Sequence, residues 1–302
     1  MTHADLATQI ARFTPEEGIF DTAIDRLTLV RWSQPSIPVH MVQRPALCLI
    51  AQGGKQVLVG DRLIAYGPAS YLVASLDLPI TGVVMEASAD APYLCFCLYL
   101  DGDALSELLV DLPAPAGAGA DAEKGGLGLS LHPVTEAMVD AAMRLTALLG
   151  NPAEARVLAP LIERELLYRL VTGPMGAVMR SIAVGEGGMA RIARAIGWLK
   201  ANFRRPFSGP DLARVAGMSV SSFHDHFRRA TAMTPLQYQK QLRLQEARRL
   251  MMTSRIAAAE AADRVGYEST SQFSREYRRL FGAPPLRDAA QLREAVAAPL
   301  AI

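Results

Sequence analysis

A chain of 302 residues, half of them apolar, is long enough for two domains, each with a core of its own. The formal net charge of +1 conceals a split: residues 1–189 carry 12 Lys/Arg against 21 Asp/Glu, net −9, and residues 190–302 carry 19 against 9, net +10. No run of about 18 apolar residues is present to span a bilayer, and Met1 to Phe13 lack the basic flank and apolar run of a secretory signal, so a cytoplasmic protein without membrane association is expected.

Along the N-terminal half, the runs "PALCLIAQG", "KQVLV", "GDRLIAY", "SYLVAS", "ITGVVMEA" and "YLCFCLYL" are short, β-rich and separated by turn residues, which predicts a small barrel or sandwich. Cys48, Cys95 and Cys97 form an odd set without CxxC spacing and point to reduced thiols rather than a disulfide framework or a zinc site. Cys95 and Cys97 alternate and share one face of their strand. On a cavity wall they would meet an electrophile. Core packing is the simpler account, because no basic neighbour in sequence lowers a thiol pKa. Tyr66, Tyr71, Tyr93 and Tyr99 fill a core as readily as they touch a ligand. Of five histidines only His40 lies near the strands, too few for a metal-binding cluster, so neither metal nor cofactor is expected.

Pro113 to Gly126, "PAPAGAGADAEKGG", reads as a loop. After Pro160, "LIERELLYRLV" places Leu158, Leu161, Ile162, Glu165 and Tyr168 along one side of a helix, with Leu166 and Leu170 widening the apolar stripe. "VGEGG", Val184 to Gly188, then reads as a linker between the acidic and basic halves. "GEGGMA" formally fits a dinucleotide-binding GxGxxA pattern, but it follows a helix rather than a strand. No GxSxG is present to support serine hydrolase chemistry.

The basic half contains an internal repeat. "DLARVAG" (Asp211 to Gly217) recurs as "EAADRVG" (Glu260 to Gly266), and beyond them Phe223 matches Phe273, Phe227 matches Tyr277, Arg228-Arg229 match Arg278-Arg279 and Pro235 matches Pro285. In each copy a short helix stops at a glycine free to turn left-handed, and a serine or threonine cluster caps a second helix, which is helix-turn-helix grammar. In the second copy Phe273, Tyr277, Leu280 and Phe281 form a core stripe and leave Thr270, Ser271, Gln272, Arg275, Arg278 and Arg279 outside it. In the first copy Phe223 and Phe227 face inward while Ser221, His224, Asp225 and Arg228 share the outer face. Such a surface suits major-groove recognition, and the net positive lobe suits a phosphate backbone. "PLQYQKQLRLQEARRLMM", Pro235 to Met252, reads as one helix of roughly 27 Å, near the ~34 Å between successive major grooves on one side of B-DNA.

The stretch "DLARVAGMSVSSFHDHFRRATAMTPLQYQKQLRLQEARRLM" followed by "AADRVGYESTSQFSREYRRLFGAPPLRD" resembles the AraC/XylS family of bacterial transcription regulators. "CLIAQGGKQVLVGDRLIAYGPASYLVASLDLPITG" and "VLAPLIERELLYRLVTGPMGAVMRSIA" also resemble the cupin-like N-terminal domain of one subgroup. The resemblance implies an α+β multidomain protein: a cupin-like β-barrel with flanking helices for sensing and dimerisation over 1–185 (helical from about 133), a linker at 186–189, and an all-α domain with two helix-turn-helix units over 190–302. It implies double-stranded DNA, RNA polymerase and a small-molecule effector as partners, and a homodimer formed through the helix after Pro160. Base-reading candidates carried over by position are Ser221, His224 and Asp225 in the first unit and Ser271, Gln272 and Arg275 in the second, with Ser222, Arg228, Thr270 and Arg279 beside them. Asp225 departs from the basic or amide side chain common there, since a carboxylate repels phosphates and reads only a cytosine amino group. Effector-contact candidates are His40, Tyr66, Tyr71, Tyr93, Cys95 and Cys97. The expected protein is a regulator and not an enzyme. A cupin-type enzyme fused to a DNA-binding module, and a ligand-independent activator whose barrel only dimerises, remain as alternatives.

Overall fold

The computed structural model describes residues 2–112 and 126–297. The loop read over Pro113 to Gly126 therefore lies outside the described residues except for Gly126. Helix α1 (His3–Phe13), capped by Thr2, precedes β1 (Gly18–Asp21), β2 (Leu27–Trp32), β3 (Val39–Gln43), β4 (Ala46–Gln52), β5 (Gly54–Val59), β6 (Arg62–Tyr66), β7 (Ser70–Ala74), β8 (Leu78–Glu86) and β9 (Tyr93–Tyr99). Helix α2 (Gly102–Val110) and strand β10 (Leu129–Pro133) lead to α3 (Glu136–Ala147), α4 (Pro152–Thr172) and α5 (Gly176–Val184).

The strands form two facing antiparallel sheets rather than a closed barrel, ordered β1-β2-β9-β4-β7-β10 and β3-β8-β5-β6 among the described residues. The larger sheet is covered on both sides. One face, with Leu47, Leu49, Tyr71, Phe96 and Leu98, packs on α1, α3 and α4; the other, with Cys48, Ile50, Leu72, Cys95 and Cys97, meets the smaller sheet. Burial on both faces explains why β4 and β9 read as nearly continuous apolar runs instead of alternating ones.

Helix α4 begins eight residues before Pro160 and runs through it, so the proline sits inside the helix rather than at its start. Asn151 caps the helix and Pro152 occupies its first turn, where a missing N–H costs nothing. The expected single apolar side divides in two: Ile162, Leu166 and Leu170 are buried, whereas Val157, Leu158, Leu161 and Tyr168 are exposed.

The basic half consists of α6 (Gly187–Asn202), α7 (Gly209–Ala216), α8 (Val220–Thr231), α9 (Pro235–Thr253), α10 (Ala258–Arg264), α11 (Thr270–Phe281) and α12 (Pro285–Ala297). The expected linker narrows, because Gly187 to Met189 form the first turn of α6 and Met189 and Ala190 are buried. Only Gly185, left-handed at φ 78°, and Glu186 separate α5 from α6. The core of the first helix-turn-helix unit is continuous with the space between the sheets: Ile192, Leu199, Phe223, Phe227 and Tyr238 belong to the same apolar cluster as Cys48, Val57 and Leu78.

Candidate DNA-reading helices and inner cavity

Each reading helix is fixed by the same local devices. Ser208 caps α7, Gly217 ends it at φ 66°, and Ser219 caps α8 by accepting from the Ser222 N–H. In the second unit α10 ends before Gly266 at φ 86°, where any Cβ would fall 2.1 Å from the Arg204 carbonyl, and Ser269 caps α11. The aromatic pairs superpose in kind: Phe223 and Phe227 lie 5.5 Å apart at 56°, Phe273 and Tyr277 5.5 Å apart at 58°.

Outside these cores the candidate readers are solvent-facing. Ser221, His224, Asp225 and Arg228 on α8 are exposed and Ser222 is half-buried; Thr270, Ser271, Gln272, Arg275 and Arg279 on α11 are exposed. Asp225 lies 3.4 Å from Arg229 one turn on, so its charge is partly matched within the helix. Gln272 donates to Glu276 at 3.2 Å. Arg228 and Arg279, each in the last turn of its helix, share a cleft with Lys240 and with Gly60 and Asp61 at the β5–β6 turn, so they approach the acidic half as well as solvent.

Sequence reasoning missed the residues that hold the two units in register. Arg243, in the middle of α9, donates to the carbonyls of Phe203 (2.7 Å), Gly266 (2.8 Å) and Arg204 (3.2 Å), tying together turns of both units. Lys240 meets Glu276 at 2.6 Å, and Tyr267 donates to the same carboxylate at 2.8 Å. Burial alone would raise the Glu276 carboxyl, but hydrogen bonds from Lys240, Tyr267 and Gln272 bring it below its ordinary value. Arg248 pairs with the buried Asp288 through two 2.8 Å bonds, and Tyr277 donates to that carboxylate at 2.6 Å. The sequence carries one signal: four cationic residues, Lys240, Arg243, Arg248 and Arg249, recur through α9 beside its apolar positions.

Between the sheets lies a cavity of about 90 Å³ lined by Val30, Trp32, Gln43, Cys48, Lys55, Tyr66, Gly82, Val84, Tyr93, Cys95, Cys97 and neighbours. It brings together Tyr66, Tyr93, Cys95 and Cys97 of the candidate effector contacts. Tyr71 is elsewhere: on β7 it pairs with Leu49 and His132 and points to the helix-covered face. His40 is also outside, on the far face of the smaller sheet, bonded to Thr81 at 2.9 Å and edge-on to Phe281 of α11 at 4.9 Å. The Cys48 and Cys97 sulfurs are 3.5 Å apart across β4 and β9. The Cys97 contact and burial push the Cys48 thiol up, and burial pushes Cys95 up to about 12, so both are neutral and poorly nucleophilic at pH 7.

The family described as AraC-type transcriptional regulator N-terminus matches residues 23–178, more than half of the chain, and a helix-turn-helix domain family matches residues 212–291. The chain belongs to the AraC-type transcriptional regulators. Among relatives of this AraC-type chain, the HTH-type transcriptional activator RhaS of Salmonella schwarzengrund is 25% identical over 177 residues, 58% of this chain and 62% of that protein. RhaS of Citrobacter koseri is 26% identical over 166 residues, 54% and 58% respectively. The chain thus spans about three fifths of the length of these curated relatives. Apo ToxT from Vibrio cholerae shares the fold with a TM-score of 0.57 at 12% identity, over 90% of this chain and all of that one. ToxT with an unsaturated fatty acid bound gives a TM-score of 0.57 at 11% identity, over 87% and 94%. Among the described residues no helix is long and apolar enough to cross a membrane, and no three His, Cys, Asp or Glu side chains gather as a metal site.

Proposed function

We propose that this AraC-type regulator is a one-component, sequence-specific activator in which a small molecule held between the two sheets controls how the two helix-turn-helix units engage double-stranded DNA. The observation that carries the reading is the paired presentation of Ser221, His224 and Asp225 on α8 and Ser271, Gln272 and Arg275 on α11, each exposed on a capped helix and spaced by the single helix α9. On α11 short polar groups at the start of the helix and a guanidinium one turn on suit direct base readout, while on α8 Asp225 takes the guanidinium's place beside Ser221 and His224. Arg228 and Arg279 serve as phosphate contacts. The residues 1–185 act as sensor and dimerisation domain, and those from Glu186 onward as reader.

Effector control is supported by the cavity and by the contacts that join its walls to the reader. Asp77, one residue before β8, pairs with Lys200 at 2.6 Å and accepts from the Tyr238 hydroxyl at 2.6 Å, while Gly82 and Val84 farther along β8 line the cavity. That a fold neighbour binds an unsaturated fatty acid is consistent with ligand control on this architecture. The exposed Val157, Leu161 and Tyr168 stripe on α4 supports a homodimer, and RNA polymerase is the partner an activator must contact. The helix-turn-helix family match and the transcriptional-activator relatives favour a regulator over an enzyme.

The test is to sequence the DNA retained by the protein from its own genome and to footprint the enriched sites. Protection of two successive major grooves on one side of the duplex is expected. Enrichment without a shared sequence would overturn the reading.

A further inference from the structure

The cavity between the sheets contains two features that an apolar core does not explain. Tyr93 is 1% exposed, and its hydroxyl has no hydrogen-bond partner among the described residues. The Cys95 thiol is close enough to act on the phenol, but sulfur is a weak partner and no atom meets hydrogen-bond geometry with the hydroxyl. A buried donor left unpaired is a standing cost to the fold.

The second feature is Lys55. It shares the inward face of β5 with Val57 and Val59, lines the cavity, and enters none of the ion pairs found among the described residues. Its side chain lies over Gly82, where an added Cβ would come 2.9 Å from Cε, so the glycine leaves the space through which the lysine reaches inward. Its charge reaches the thiols, drawing Cys48 and Cys95 downward against burial. A half-buried ammonium without an ion-pair partner among the described residues and an orphan hydroxyl thus share the walls of one cavity. The rest of the wall combines apolar or soft groups, among them Val30, Trp32, Val84 and the three thiols, with Tyr66, Tyr99 and three polar side chains that already have partners: Thr28 on Asp21, Gln43 on the Arg44 carbonyl and Ser36 on the Val84 N–H.

We propose that this cavity binds a small organic acid as its carboxylate, the oxygens taken by Lys55 and Tyr93 and the short apolar body held against Trp32, Val30 and Val84. This rests on the reading of the cavity as the effector site and names the effector's chemical class. The volume of about 90 Å³, roughly three waters' worth of liquid, limits the ligand to a handful of non-hydrogen atoms. The thiols contribute polarizable packing and form no bond to it.

The chain has two tryptophans, so Trp198→Phe leaves Trp32, on the cavity wall, as the reporter. Titrating this variant with the unbranched acids from propionate to hexanoate should give a saturable change in fluorescence for at least one of them, and calorimetry on the unsubstituted chain should give the same affinity. The matching neutral amide and inorganic nitrate should fail, the first for want of charge and the second for want of an apolar body. Lys55→Gln and Tyr93→Phe should each weaken the acid by about ten-fold or more, as expected for hydrogen bonds to a charged group. Without ligand, Tyr93→Phe should melt no lower than its parent, since it removes an unpaired hydroxyl; a structural role for that hydroxyl would lower it.

Amide and acid binding equally, unchanged affinity in Lys55→Gln, or no saturation by any acid would overturn the proposal. Acid binding that depends on Lys55 but leaves DNA affinity unchanged would sustain it and sink the effector reading. A neutral compound that binds here and alters DNA affinity would do the reverse.

Discussion

Gly60, at the turn between β5 and β6, rests directly on Ala232, the residue that ends the first reading helix α8 in a left-handed conformation at φ 55°. A Cβ at Gly60 would lie 2.2 Å from the Ala232 carbonyl oxygen and 2.8 Å from its Cβ, and Gly60 itself has φ 59°. Beside it, the Gly128 N–H donates 2.7 Å to the carbonyl of Ala230. The β-sheet half therefore touches the helix-turn-helix half at the last turn of α8, backbone against backbone.

Gly60→Ala should accordingly loosen this seam. The left-handed φ costs a non-glycine residue about 1 kcal/mol or more, and relief of the clash requires the two halves to separate. Amide exchange should rise at Ala230 to Met233 while the β4–β9 ladder stays protected. Unchanged protection at Ala232 would show that the contact does not hold the halves together.

Arg275 and Arg279 should behave differently on DNA. Arg275→Ala should remove a bidentate base contact, costing about 1–3 kcal/mol on the preferred site and relaxing preference at one position. Arg279→Ala should weaken specific and random duplexes alike and reduce the salt slope by about one unit. Equal losses on both duplexes for Arg275→Ala would remove it from base readout.

Much of this arrangement is legible in the sequence because local rules carry it. The two reading helices follow from Gly217, Gly266, Ser219 and Ser269, whose caps and left-handed turns depend only on near neighbours. The six expected strands correspond to β4 through β9. Strands β1, β2, β3 and β10 lie outside the six runs: β1, β3 and β10 are sheet edges, where half the backbone is unpaired and few side chains need be apolar, whereas β2 is interior and carries Arg31 and Thr28 within a short run. Tyr71 faces the helices rather than the cavity, and the sequence does not announce this because β7 is buried on both faces, which erases the alternation that distinguishes them. Lys55 is in phase with Val57 and Val59 on the inward face of β5, a cation where the alternation calls for an apolar residue. The pairing of His40 with Phe281 joins residues 241 positions apart, and no local pattern announces it.

His40 makes that joint sensitive to acid. Burial lowers its pKa from 6.5 to about 4, Arg248 on α9 acts in the same direction, and Asp288 on α12 opposes them. Because the folded form disfavours the imidazolium, its neutral state is stabilising above pH 6.5, and that stability is lost as pH falls toward 4. The melting temperature should decline across this window, and His40→Phe, which keeps an aromatic edge toward Phe281, should flatten the decline. Parallel curves for the two proteins would place the sensitivity in other groups.

Strand β8 gives the two halves a direct mechanical link, since Gly82 and Val84 line the cavity while Asp77 at its other end holds Lys200 and Tyr238 of the reader. An effector that shifts β8 must therefore shift α6 and α9 with it. Linkage requires reciprocity: if effector tightens operator binding by some factor, operator tightens effector binding by the same factor. The Lys200–Asp77 pair is partly exposed and worth little to overall stability, about 0–1 kcal/mol. Lys200→Ala should hence leave each separate affinity nearly intact while reducing the coupling factor by up to about five-fold, and Lys200→Ala combined with Tyr238→Phe should reduce it further. Titrating effector with and without operator DNA, for the parent and both variants, measures that factor directly. If the variants couple as strongly as the parent, the signal leaves the sensor by another route, and the Gly60–Ala232 seam is the next element to cut.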